Sequence, residues 1–128
     1  MRLLLDTHTA LWWLNEYEKL SPEAKSLLLD DENELFISVV SLWEIAIKIS
    51  LGKLIAVKGG VSEINSIFQN MPVNLLALKP SHIEIVEVLP FIHRDPFDRM
   101  LIATAKSEDM AILTADKNIH EYDVLTLW

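Results

Sequence analysis

Short apolar runs alternate along the chain with longer stretches in which apolar residues recur at helical spacing. A short apolar run is typical of a strand that is buried on both faces of a parallel sheet. On this pattern the predicted strands are RLLL (2–5), ELFIS (34–38), VNLLAL (73–78), AILT (111–114) and VLTLW (124–128).

Helical patterns fill the segments between these strands. Ser21 is a candidate N-cap, Pro22 suits the first helical position, and Gly52 is a typical helix stop. The predicted helices cover residues 9–15, 22–31, 40–51, 61–70, 81–89 and 96–108. Strands separated by helices favour βαβ units, so we predict an α/β fold with a mostly parallel sheet. No linker-like segment divides the 128 residues, which predicts one domain over residues 1–128.

Composition and charge limit the kinds of site and the classes of function that the chain can have. The chain has no cysteine, which excludes disulfides and thiolate sites and is compatible with a reducing cytoplasm. Its start, MRLLLDTHTALWW, resembles neither a signal peptide nor a membrane anchor, so we expect a cytoplasmic protein that does not associate with membranes. A formal net charge of −8 argues against a simple DNA-binding module, because phosphate binding depends on Lys and Arg. The same charge is expected where carboxylates bind divalent cations.

Four acids follow or flank predicted strands in corresponding places. Asp6 directly follows RLLL, Asp116 follows AILTA, Glu44 lies in the first turns of the helix after ELFIS, and Asp98 lies near the start of the helix that leads into AILT. Binding sites of parallel α/β sheets form outside the carboxyl ends of the strands. Four carboxylates meeting there repel one another unless a cation neutralises them. Oxygen donors without Cys suit Mg²⁺ or Mn²⁺, which support phosphodiester hydrolysis by an activated water.

Each acid also has a purely structural explanation. Ser41, Glu44 and Lys48 form one narrow polar stripe on an apolar helix, and Glu44 and Lys48 at this spacing can be a solvent-exposed ion pair. Asp98 occupies the third helical position if Asp95 is the N-cap, and there a carboxylate favours the helix dipole.

Asp116 and Asp6 can also be explained by simple structural roles. Asp116 can cap the short segment KNIHEY, and Asp6 can be a turn acid.

Four segments, in this order and at these separations, resemble the PIN-domain family and, more narrowly, the VapC-type toxin ribonucleases of toxin–antitoxin pairs. The segments are LLLDTHTALWWL, ISVVSLWEIAIK, HRDPFDRMLIATA and ILTAD. The resemblance extends from Arg2 to Trp128. It implies a three-layer α/β/α domain with a five-stranded sheet, a homodimer, Mg²⁺ or Mn²⁺ as cofactor, and cleavage of RNA. It also implies an antitoxin partner whose tail covers the acidic cleft.

The family's acidic positions carry over residue by residue. They fall on Asp6, Glu44, Asp98 and Asp116 as metal-binding and catalytic residues, with Thr114 and Thr7 as polar helpers. Whether Asp95 caps the helix or also reaches the ion stays open.

Other polar and aromatic residues near these acids have less specific roles. Lys48, Arg94 and Arg99 can contact RNA phosphates or pair with the acids. His93 fits a turn before an N-cap better than catalysis, and two-metal chemistry needs neither His93 nor His8. Trp12 and Trp13 cannot both face one core, so one of them can be an interface anchor, although partial burial of both explains them equally well.

A different class of function also fits the sequence. In a non-catalytic α/β partner-binding module the acids are helix caps, and no divalent ion stabilises the protein. An aspartyl-phosphate enzyme is disfavoured, because the THT that follows Asp6 lacks the second acid of that pattern.

Overall fold

The computed structural model of the chain describes residues 1–54 and 58–128. In this part of the chain it has five strands, seven α-helices and a 3₁₀ turn at Tyr17–Lys19. The strands are β1 (Arg2–Leu5), β2 (Glu34–Ser38), β3 (Asn74–Leu76), β4 (Ala111–Leu113) and β5 (Thr126–Leu127). The helices are α1 (Thr7–Asn15), α2 (Pro22–Leu29), α3 (Val39–Ser50), α4 (Gly60–Gln69), α5 (Pro80–Val88), α6 (Pro96–Glu108) and α7 (Lys117–His120).

The strands form one sheet in the order β3-β2-β1-β4-β5, and every neighbouring pair is parallel. Strand β1 is central, with Leu4 paired to Phe36 on one side and to Ile112 on the other. The five predicted strands are confirmed in place and order. Strands β3 and β5 are shorter than predicted, since an edge strand has a neighbour on one side only and its ends lack ladder partners.

Alternate residues of the inner strands point to two separate cores. Leu3 and Leu5 of β1 face one core, whereas Leu4 faces the other, as the two-residue period of a strand requires. The first core is completed by side chains of α1 to α4, including Ala10, Ala24, Ile45 and Ile64. The second is completed mainly by α6, with Leu101, Ile102 and Ala105, and by Ile119 and Tyr122 near the C-terminus. The predicted three-layer α/β/α arrangement is therefore confirmed.

Helix caps set the turns that follow the strands. Asp6 caps α1 by accepting a hydrogen bond from the Thr9 N–H, so α1 begins at Thr7, two residues earlier than predicted. Ser38 caps α3 in the same way. Gly52, with φ of 70°, follows the end of α3, as predicted for a helix stop. The result is that Asp6 lies at a strand end and at a helix N-terminus at once.

None of the helices in residues 1–54 and 58–128 combines the length and the apolar character that a bilayer span requires.

The central strand offers a direct test of the two-core packing. Leu4 is fully buried, so Leu4→Ala is expected to lower the free energy of unfolding by about 2–5 kcal/mol, measured by urea denaturation. Leu29→Ala is the matched control: its side chain is 71% exposed, and a change within about 0.5 kcal/mol is expected. Equal losses in the two variants would contradict the assignment of Leu4 to a packed core.

Candidate functional site

Asp6 and Asp116 are joined by Thr114 at the carboxyl ends of β1 and β4. The Asp6 N–H donates to the Leu113 carbonyl at 3.2 Å, which holds the two strand ends together. The Thr114 hydroxyl donates to Oδ2 of Asp6 and accepts from the Asp116 N–H at 3.0 Å. One side chain therefore orients both acidic segments.

A cavity of about 240 Å³ opens at this point, lined by Asp6, His8, Trp12, Ala115 and Asp116. Asp6 is buried and its burial raises the pKa of the carboxyl, while hydrogen bonds from Thr114 and Thr9 act in the opposite direction. Each Asp6 oxygen accepts one of these bonds, and each carboxylate oxygen has a second lone pair. Asp6 can thus bind a cation while it still caps α1.

Glu44 reaches the same edge of the sheet from α3. Its Oε1 accepts a hydrogen bond from the Thr7 hydroxyl at 2.8 Å, and the same hydroxyl lies 2.9 Å from Oγ of Ser41. Its Oε2 lies 2.7 Å from Nζ of Lys48. Ser41 and Glu44 are both buried. The interpretation of the polar stripe as a solvent-exposed pair is therefore wrong: the stripe faces α1, and only Lys48 extends towards solvent.

Asp98 occupies the third position of α6, as the sequence predicts. Oδ1 of Asp95 accepts from the N–H groups of Phe97 and Asp98, at 2.9 and 3.1 Å, so Asp95 is the N-cap. The Asp98 side chain is free of that role. Its Oδ2 lies 3.3 Å from Nε2 of His93.

The electrostatics of Asp98 connect it to the other acids. Burial raises the pKa of Asp98 to about 7, and the charges of Asp95, Asp116 and Glu44 act in the same direction. The hydrogen bond from His93 lowers it. Asp98 therefore lies in the field of acids from two other segments, Glu44 of α3 and Asp116 before α7, as expected if they face one cleft.

The acids do not form a closed cage. Across residues 1–54 and 58–128, no three Asp, Glu or His side chains are gathered closely enough to enclose a metal ion. The predicted convergence is thus an open arrangement, with Asp6 tied to Asp116 through Thr114 and Glu44 tied to the residue after Asp6. The donor set still fits a hard divalent cation, because it consists of carboxylate oxygens whose mutual repulsion a cation relieves.

One predicted phosphate contact is wrong. Arg99 is buried, and its guanidinium donates to the carbonyls of Pro90 and Leu89 and to the Tyr122 hydroxyl, at 2.8, 3.1 and 3.0 Å. These contacts leave it unable to meet a phosphate at the surface. Arg94 is exposed, and Lys48 is the partner of Glu44.

Sequence reasoning also missed one residue of the site. His93 lies in the irregular segment before the N-cap Asp95, and it contacts both Asp98 and Tyr122. No local signal reveals this, because Tyr122 lies 29 residues further along the chain. Trp12 and Trp13 are both partly buried against the core on the α1 side, which agrees with the simpler of their two interpretations.

Comparison by sequence gives two matches. A family model described as PIN domain matches residues 3–125. Ribonuclease VapC22 of Mycobacterium tuberculosis is 26% identical over 121 residues, which cover 94% of this chain and 91% of that protein.

Solved structures agree on the fold. The crystal structure of VapBC2 from Rickettsia felis, bound to a DNA fragment from its promoter, gives a TM-score of 0.77 at 15% identity and covers 99% of this chain and 98% of that chain. VapC20 of Mycobacterium tuberculosis, described as a sarcin-ricin loop cleaving toxin, gives a TM-score of 0.67 at 14% identity, with 96% of both chains covered. At such identities the likeness concerns the fold.

The raised pKa of Asp98 predicts a stability change with pH in metal-free protein. The folded state favours the protonated form of Asp98, because its pKa is raised from the ordinary value of 3.8 to about 7. The stabilisation from this proton is therefore full below pH 3.8 and is lost as the pH rises to about 7. The free energy of unfolding of wild type, relative to Asp98→Asn, is expected to fall over this range and then level off. Urea denaturation at a series of pH values measures it.

Asp31→Asn, which changes an exposed turn residue, is the control for this series. Its curve is expected to run parallel to that of wild type. If the Asp98→Asn curve also runs parallel, the electrostatic description of Asp98 is contradicted.

Proposed function

The chain belongs to the PIN-domain family, and we propose that it is a metal-dependent endoribonuclease that acts as the toxin of a toxin–antitoxin pair. The observation that carries this proposal is the negative charge gathered around Asp98 at the carboxyl edge of the sheet. The similarity to ribonuclease VapC22 supports the choice of RNA as substrate. We assign the activity to residues 1–128 as a single PIN-like nuclease domain.

Asp6, Glu44, Asp98 and Asp116 are the proposed metal-binding and catalytic residues, with Mg²⁺ or Mn²⁺ as cofactor. When bound, such a cation supplies positive charge for a phosphodiester and lowers the pKa of water, so hydrolysis needs no protein nucleophile. Thr114 orients Asp6 and Asp116, and Thr7 orients Glu44. The open arrangement of the acids leaves room for a nucleic acid backbone to approach.

Binding of RNA to a chain of net charge −8 needs local cations. Arg94 is exposed two residues before the start of α6, and Lys48 has a partly exposed side chain whose Nζ pairs with Glu44. We propose that these two side chains contact phosphates.

The proposed setting is the cytoplasm, with a cognate antitoxin as protein partner and a homodimer as the working form. The crystal structures of similar fold include VapBC complexes, which pair a toxin with its antitoxin. A basic antitoxin side chain suits the acidic cleft, because it neutralises the same carboxylates that a cation does.

The proposal predicts metal-dependent RNA cleavage that requires Asp98. Purified wild type, freed of any bound partner, is expected to cleave RNA with Mn²⁺ or Mg²⁺ and to lose this activity in EDTA. Asp98→Asn is expected to lower kcat at least about 100-fold, because the amide cannot supply the charge that holds the cation. Gel analysis of RNA fragments measures both effects.

Asp31→Asn is again the control and is expected to cleave like wild type. A folded Asp98→Asn protein that cleaves RNA at the wild-type rate would overturn the assignment of Asp98. Cleavage that is unchanged by EDTA would overturn the metal dependence.

Proton competition gives a second test, with no RNA present. The Asp98 carboxyl must lose its proton to bind a cation, and its pKa in the metal-free protein is about 7. Mn²⁺ is therefore expected to raise the Tm more at one pH unit above this value than at one unit below it. In Asp98→Asn the difference is expected to shrink. An increase in Tm that is equal on both sides of pH 7 contradicts this prediction.

The competing function is a non-catalytic α/β module that binds a partner protein. It draws support from the capping roles of Asp6, Asp95 and Asp116, which all accept backbone N–H groups. This function predicts that Mn²⁺ leaves the Tm unchanged, so the thermal measurement separates it from the nuclease.

A further inference from the structure

The Tyr122 hydroxyl lies behind Asp98, where three other hydrogen-bonding groups meet. It is 2.9 Å from Nδ1 of His93, 3.2 Å from the His93 backbone N, and 3.0 Å from Nη1 of Arg99. On its other side the His93 ring presents Nε2 to Asp98 at 3.3 Å. Tyr122 is buried, so its hydroxyl depends on these partners rather than on bulk water.

Counting donors decides the direction of each bond. The His93 backbone N–H and the Arg99 guanidinium can only donate, and together they occupy both lone pairs of the Tyr122 oxygen. The Tyr122 hydroxyl hydrogen is then left for Nδ1 of His93, which must accept it. A neutral imidazole that accepts at Nδ1 carries its hydrogen at Nε2. That hydrogen points to Oδ2 of Asp98.

Arg99 explains why this arrangement is fixed. Its guanidinium is buried and also donates to the carbonyls of Pro90 and Leu89, and it lies 4.1 Å from the centre of the Phe91 ring. A guanidinium has no acceptor atom, and one that is anchored at several points cannot move away from the Tyr122 oxygen. The direction of every bond from Arg99 to Asp98 is therefore set by two groups that can only donate, the Arg99 guanidinium and the His93 backbone N–H.

We propose that Arg99 and Tyr122 hold His93 as the neutral Nε2–H tautomer, and that His93 thereby orients the Asp98 carboxylate for cation binding. Tyr122 is a positioning residue in this scheme, since it acts on Asp98 only through His93. The link to catalysis rests on the proposed nuclease function. The assignment of the His93 tautomer rests on the hydrogen bonds alone and is independent of that function.

The tautomer can be observed directly. Two-bond ¹H–¹⁵N spectra of the imidazole rings distinguish the two neutral tautomers and the imidazolium. In wild type, His93 is expected to show a protonated Nε2 and an unprotonated Nδ1. In Tyr122→Phe, which keeps the ring and removes the hydroxyl, the Nδ1–H form is expected to appear. Tyr17→Phe is the matched control, because Tyr17 is the other tyrosine of the chain and its spectrum is expected to match wild type.

Metal binding and kinetics test the consequence for Asp98. In Tyr122→Phe the Kd for Mn²⁺, measured by titration calorimetry without RNA, is expected to rise about 10- to 100-fold, as is typical when the group that orients a ligand is lost. For RNA cleavage, kcat is expected to fall with KM unchanged. Tyr17→Phe is expected to keep both wild-type values.

Two His93 variants separate orientation from general destabilisation. His93→Gln retains an amide that can donate to Asp98 and an oxygen that can accept from Tyr122, so it is expected to restore most of the Mn²⁺ affinity. His93→Leu has neither group and is expected to bind Mn²⁺ as weakly as Tyr122→Phe or more weakly. Far-ultraviolet circular dichroism checks that each variant is folded.

The outcomes are distinct. A wild-type His93 with Nδ1–H or an imidazolium overturns the proposal, as does an unchanged Mn²⁺ affinity in folded Tyr122→Phe. If wild type binds Mn²⁺ but does not cleave RNA, the proposed nuclease function fails, while the spectra and affinities still decide the role of Tyr122.

Discussion

Carboxylates that repel one another are held at the carboxyl edge of the sheet mainly by hydrogen-bond donors. Thr114 and the Thr9 N–H bind Asp6, the Asn118 N–H binds Asp116, and His93 faces Asp98. Glu44 is the exception, since it has Lys48 as well as Thr7. Neutral donors fix the positions of charged groups without cancelling their charge. The site therefore keeps a net negative field that suits a divalent cation.

The parallel sheet makes this arrangement possible. All four strand pairings run in the same direction, so the loops after β1 and β4 open on the same edge. Helices α1 and α7 begin directly after their N-caps Asp6 and Asp116, and Asp98 lies in the first turn of α6. The positive ends of these helices favour carboxylates. The same residues can thus stabilise the fold as caps and remain available as ligands, which is why a capping role does not argue against a role in catalysis.

The sequence predicts much of this because strand ends are local features. The short run RLLL ends at Asp6, and AILT ends just before Asp116, so the chain itself marks where the acids meet. Glu44 is different. A polar stripe on an apolar helix looks the same whether it faces water or a buried partner, and its partner Thr7 is 37 residues away. The open spacing of the acids is equally invisible to pattern, because it depends on how the helices pack.

Arg99 shows most clearly what sequence patterns cannot predict. It is adjacent to Asp98 in sequence, which suggested a role at the phosphate, but its neighbours in space are carbonyls of the irregular segment before α6. Irregular backbone has no periodicity from which its free carbonyls can be located. The link from Arg99 through Tyr122 to His93 is hidden for the same reason, since it joins helix α6, the irregular segment before it and the region after α7.

The central claim, that these acids bind a divalent cation, is tested most directly by diffraction from crystals grown with Mn²⁺ and measured at the manganese absorption edge. The account predicts an anomalous peak in the cleft at the carboxyl ends of β1 and β4, coordinated by Asp6 and by Asp98 or Asp116. Density restricted to carboxylates elsewhere on the surface, or no peak at an Mn²⁺ concentration that saturates any thermal shift, would contradict it.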